Sequence, residues 1–171
     1  LTNSGNANTQ SGIWTTVSDS HLEDTIWVHD AAAQPRFGII HTFHGLLQRC
    51  RCSNPSGGGA MFQADDYTAL YFCVADSASA NNPNGVIGIA RAPQPAFCCI
   101  VDSVTPTVTA DAAIWIRPNI RTGTQIMFCI IYNHTNGNGI TMSENGGGSR
   151  AYMMLGNIIA DVSGYGIGRD A

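Results

Sequence analysis

The chain contains no lysine: its 8 basic residues are all arginine. That excludes chemistry built on a lysine amine, such as P-loop phosphate binding, Schiff-base catalysis and Ser-Lys dyads. Charge of either sign is scarce, at 12% of residues against the roughly 25% usual for a soluble domain. Only Glu23 and Glu144 are glutamates; the first reads as the cap of a short turn and the second lies in the loop Ser143-Glu144-Asn145-Gly146-Gly147-Gly148, so neither has a visible partner for paired-carboxylate hydrolysis. The net charge of −4 argues against a nucleic-acid partner, which calls for a basic patch or stripe. No apolar run reaches membrane-spanning length, and the N-terminus lacks the charged and apolar regions of a signal peptide, so a soluble product without membrane contact is expected. A first residue of Leu rather than Met points to processing or excision. Helix-period patterning is also nearly absent. The best candidate is Ser18 to Ala33, with Glu23 three residues after Ser20 as in a capping box, but its Thr25-Ile26-Trp27-Val28 segment is β-branched and aromatic.

What is present is glycine, 19 residues of it, together with short runs of β-branched and aromatic residues between Gly, Pro and Asn clusters. About ten such runs follow Ile13, and Asn-Gly recurs at Asn84, Asn136, Asn138 and Asn145, the strongest short hairpin signal. The pattern predicts an all-β fold, an antiparallel β-sandwich or jelly roll, in one domain over residues 13–171. Residues 1–12, almost wholly polar, form an extended N-terminal arm in this reading. No internal repeat of 20 to 50 residues is visible. Three runs, 69–75, 96–101 and 126–132, are apolar on both of the faces that a single strand would have. A sandwich covers one face of such a strand, so a neighbouring subunit is expected on the other.

The six cysteines divide into two groups. Cys73, Cys98, Cys99 and Cys129 lie in the most apolar runs and read as buried free thiols, with Cys98 and Cys99 directed to opposite faces. The other two belong to the sharpest metal candidate, His41, His44, Cys50 and Cys52, a His2Cys2 set within twelve residues. Its His and Cys pairs are both spaced more tightly than in structural zinc sites, and a half-buried strand followed by a loop explains it without metal. Asp65 and Asp66, with Asp76, Asp102 or Asp111, offer hard oxygen ligands for calcium but without EF-hand spacing. Gly57–Gly59 and Gly146–Gly148 read as hairpin tips, since neither triplet precedes a lysine. Trp14, Trp27 and Trp115 with Tyr67, Tyr132, Tyr152 and Tyr165 offer either a sugar-stacking platform or ordinary core anchors. No catalytic residue and no cofactor emerges from these patterns.

In its polar arm, Asn-Gly turns, lysine-free arginine usage, apolar strands with free cysteines and the Gly-rich end Val162-Ser163-Gly164-Tyr165-Gly166-Ile167-Gly168-Arg169, the whole chain resembles tailed-bacteriophage virion proteins of the capsid-decoration, head-fibre or tail-fibre type. The resemblance implies a non-enzymatic subunit located in a virion. It also implies homo-oligomerisation, typically as a trimer, contact with other virion proteins, and a host glycan as a further partner. A carbohydrate-binding β-sandwich of a surface or secreted protein is the alternative expectation.

Overall fold

A computed structural model describes residues 13–15, 18–28, 37–41, 44–53, 60–64, 67–76, 86–89, 95–102, 112–116, 123–134, 137–143 and 152–170. All the regular elements among them are short strands, and these come in threes. The first coil is β1 (Ile13–Thr15), β2 (Ser20–Glu23) and β3 (Ile26–Val28). The second is β4 (Phe37–His41), β5 (Gly45–Gln48) and β6 (Arg51–Ser53). The third is β7 (Ala60–Ala64), β8 (Thr68–Tyr71) and β9 (Val74–Asp76). The fourth is β10 (Ile87–Ile89), β11 (Pro95–Phe97) and β12 (Ile100–Asp102). The fifth is β13 (Ala112–Ile116), β14 (Thr124–Met127) and β15 (Ile130–Tyr132). The sixth is β16 (Asn138–Ser143), β17 (Tyr152–Leu155) and β18 (Ile158–Ile159), and β19 (Ile167–Asp170) opens a seventh.

Each strand pairs in parallel with the strand three places further along the chain, which gives one 7-stranded and two 6-stranded sheets. This is a parallel β-solenoid. A parallel pair needs a crossover of a dozen or more residues, and the other two strands of each coil, with their connections, supply it. A single coil cannot bury its own apolar side; stacking does that for it.

The stacking lines up inward-facing rows. In the first sheet Ile39, Phe62, Ile87, Ile114 and Ile140 share one register position and are fully buried. Leu47, Leu70, Ala96 and Ile126 do the same in the second sheet. Trp27, Cys52, Ala75, Val101 and Ile131 do so in the third. Burying each larger side chain contributes about 1.5–3 kcal/mol.

Between the second and third sheets the chain turns within two residues. The first of them is Asp24, Arg49, Phe72, Cys98, Phe128 or Gly156 in successive coils, and all six have φ between 50° and 63°. Five of these residues carry a Cβ and would ordinarily avoid that region. Each of those five backbone N–H groups is held by a carbonyl of the next coil: those of Gln48, Tyr71, Phe97, Met127 and Leu155, at 2.8–3.1 Å. The left-handed corner is therefore imposed by stacking, not by local glycine preference.

This architecture corrects the expected antiparallel sandwich or jelly roll. The hairpin inference fails because the corners join strands of different sheets, and because Asn138-Gly139 lies within β16 instead of at a hairpin tip. Asn84, Asn136 and Asn145 are outside the described residues. A repeat is present, against the sequence reading: the corner cysteines Cys50, Cys73, Cys99 and Cys129 recur at intervals of 23, 26 and 30 residues. The unequal connections hide the period. Within the proposed helix, residues 20–28 form β2 and β3, because β-branched and aromatic residues suit a stacked strand better. The two-faced apolar runs are each two strands bent across a corner. In 69–75, Leu70, Cys73 and Ala75 are buried while Tyr71, Phe72 and Val74 are more exposed.

Candidate functional site

The second corner position holds Thr25, Cys50, Cys73, Cys99, Cys129 and Asn157 in successive coils. The four thiols form a buried ladder, and each donates to a carbonyl of the preceding coil: Cys50 to Leu22 at 3.4 Å, Cys73 to Leu47 at 3.4 Å, Cys99 to Leu70 at 3.8 Å and Cys129 to Ala96 at 3.5 Å. Asn157 makes the same contact in the sixth coil, Nδ2 donating to the Ile126 carbonyl at 2.8 Å, while its Oδ1 accepts from the Cys129 N–H at 2.9 Å. At the opposite end the Thr25 hydroxyl donates to the Glu23 carbonyl at 3.1 Å. Neighbouring ladder thiols, with burial, hold Cys50 and Cys99 above the ordinary thiol range. Burial likewise pushes Cys52 up. Contacts with Cys50 and Cys99 lower Cys73 and Cys129 instead, but all four ladder thiols are buried, and reactivity requires an accessible thiolate. Cys98 alone among the six cysteines is partly exposed.

The candidate ligands His41, His44, Cys50 and Cys52 are not brought together. Cys50 and Cys52 are fully buried inside the solenoid, whereas His44 is exposed and packs edge-on against Tyr67 at 4.7 Å. His41 lies in β4 and its side chain is outside the described residues. Alternation explains the separation: Cys50 and Cys52 are two apart and share the inner side, and His44 precedes β5 at a different corner. Among the described residues no group of three His, Cys, Asp or Glu side chains could hold a metal ion.

The other acidic candidates have ordinary partners. Asp76 accepts from Arg51 and Ser53. Asp102 accepts from Asn133 Nδ2 at 3.1 Å, and its bond with the Tyr132 hydroxyl raises that phenol. Asp65, Asp66, Asp111, Glu144 and both glycine triplets are outside the described residues. Trp27 is a core residue and takes no part in a surface platform; the side chains of Trp14 and Tyr152 are outside the described residues. An open groove of about 510 Å³, lined among others by Asp19, His21, His44, Leu46 and Tyr67, lies where the second-sheet strands β2, β5 and β8 begin.

A second feature lies on the outside of the thiol corner. In coils three to six its outward positions are Tyr71-Phe72-x-Val74, Phe97-Cys98-x-Ile100, Met127-Phe128-x-Ile130 and Leu155-Gly156-x-Ile158. Phe97 stands at the centre of the aromatic contacts, with ring centroids 5.8 Å from Tyr71, 5.9 Å from Phe72 and 5.6 Å from Phe128. In coils one and two the same corner carries Glu23, Asp24, Arg49 and Arg51 beside the exposed Ile26. Arg49 donates to Asp24 at 2.6 and 2.9 Å and also to Glu23. The sequence signal for this corner is the repeated order in, out, out, in, out, in, which period-two alternation misses by one residue.

Comparison with protein-family models, with curated proteins and with solved structures finds no match. Among the described residues no helix is long and apolar enough to cross a membrane.

Proposed function

We propose that the chain is a non-enzymatic structural subunit that self-associates and decorates or extends a phage particle. One observation carries the reading: a contiguous apolar corner faces solvent on the outside of a fold whose inside is already filled. Monomeric proteins rarely leave large contiguous patches of this kind exposed. The compositional resemblance to tailed-phage virion subunits supports a particle as the setting, with other virion proteins as neighbours and a trimer as the first stoichiometry to test. Sedimentation velocity measures it directly. A homo-oligomer at micromolar concentration is the expected result, and a monomer with a cooperative melt and no particle association overturns the proposal.

The groove favours a second reading, a carbohydrate-binding module. Asp19, His21 and His44 supply hydrogen-bonding groups beside the half-exposed Tyr67 ring, the kind of mixed polar and aromatic lining that orients a sugar. A glycan array probed with the intact chain and with Tyr67→Ala tests it: binding that Tyr67→Ala abolishes supports this reading, and no binding to any glycan removes it.

A further inference from the structure

We infer that the corner between the second and third sheets, over coils three to six, is where a second copy of this chain packs, side by side with the first. The inference rests on the self-association reading and assigns its surface. The exposed fractions are 48% for Phe72, 46% for Phe128, 36% for Ile130, 52% for Leu155 and 58% for Ile158. With part of Phe97 these residues present roughly 500 Å² of largely apolar surface, taking about 200 Å² for each large apolar side chain when fully exposed. A standard interface buries about 800 Å² per partner, of which somewhat more than half is apolar, so the patch matches the apolar share of one such interface.

The charge distribution sets the limits of that surface. Glu23, Asp24 and Arg49 are already joined in one chain's ion pairs, and they close the apolar strip on the N-terminal side.

Cys98 provides the test because it occupies the same corner row as Phe72 and Phe128, between them along the axis, and is the one cysteine of the six that is not buried. Packing corner on corner brings two copies of it close together. The intact chain is treated with a short bis-maleimide and its mass distribution measured, beside Cys98→Ser and Ile130→Glu. The expected result is a covalent dimer that Cys98→Ser abolishes, and an association constant lowered at least about tenfold by Ile130→Glu, equivalent to about 1.4 kcal/mol, with an unchanged circular dichroism spectrum. If Ile130→Glu does not fold, the wild-type cross-link decides alone. An oligomer that persists with Ile130→Glu and yields no Cys98 cross-link overturns this surface while leaving self-association standing. A wild-type chain that is monomeric throughout overturns both.

Discussion

At the scale of single residues, the most demanding position is the first residue of each corner. Gly156 shows why the identity there is not free: with φ of +63°, an added Cβ would lie 2.5 Å from Phe128 Cδ1 and 2.6 Å from Cε1. Gly156→Ala is expected to lose about 1–2 kcal/mol from the left-handed backbone, plus the displacement of the Phe128 ring, read as a lowered urea midpoint at constant slope. The following residue carries hydrogen bonds instead. Asn157→Ala leaves the Cys129 N–H and the Ile126 carbonyl without their partner, and a loss of about 1–3 kcal/mol is expected by the same measurement. Asn157→Cys should lose less, because a thiol there can still donate as the four ladder thiols do. At the charged end, the hydrogen bond from Arg49 lowers the Asp24 carboxyl below its ordinary 3.8. The sign follows from linkage: a depressed carboxylate stabilises the fold above its unfolded pKa, and that contribution disappears as pH falls through the lower folded value. Asp24→Asn should therefore melt slightly below wild type at neutral pH, with the difference closing below about pH 4. The pair is solvent-exposed, so the shift will be small and will shrink in high salt.

At the scale of the element, the unit that matters is the bent pair of strands around a corner. Its thiol ladder predicts a sharp split in reactivity. With a water-soluble disulfide reagent under native conditions, Cys98 should react first, and Cys50, Cys52, Cys73, Cys99 and Cys129 should react at rates governed by opening of the coils. Five thiols reacting as fast as Cys98 would show that the inner row is not enclosed. The strands themselves were largely legible in the sequence. β-Branched and aromatic runs marked them, and Cys98 and Cys99 do differ in burial, but as the two residues of a left-handed corner and not as neighbours within one strand. The pairing of the strands was not. A corner made of a left-handed Phe, Arg or Asp carries no glycine signature, because the neighbouring coil imposes the conformation through hydrogen bonds that no local pattern encodes. Parallel pairing at intervals of 23 to 30 residues leaves only a recurring Cys in four otherwise dissimilar segments. The metal candidate illustrates the same gap: short sequence spacing placed two His beside two Cys, while the chain's turn before β5 put His44 outside and both thiols inside. The apolar corner was legible only as an excess of apolar residues, which a sandwich reading assigned to the wrong sheets.

At the scale of the whole molecule, each coil touches only its neighbours, so stability is distributed along one axis and the ends differ from the middle. The isoleucine row of the first sheet makes the gradient measurable. Ile114 and Ile140 have a coil on each side and no exposure, whereas Ile167, at the same register position in β19, is 51% exposed. Ile114→Ala should cost about 2–5 kcal/mol, the range for truncating a buried side chain that leaves a cavity. For Ile167→Ala the cost should stay below about 1 kcal/mol, since half of its surface is already in water. Amide exchange should follow the same order, slowest in β10 to β15 and fastest in β19, with intermediate rates in β17 and β18. The gradient also bears on assembly. A partner lying along the corner over coils three to six would slow exchange in β17 and β18 as the concentration rises, because the outward Leu155 and Ile158 would be covered. It would leave β19, in the opposite sheet, unchanged. Concentration-dependent protection confined to β19 would instead place the partner on the end of the solenoid and contradict side-by-side packing.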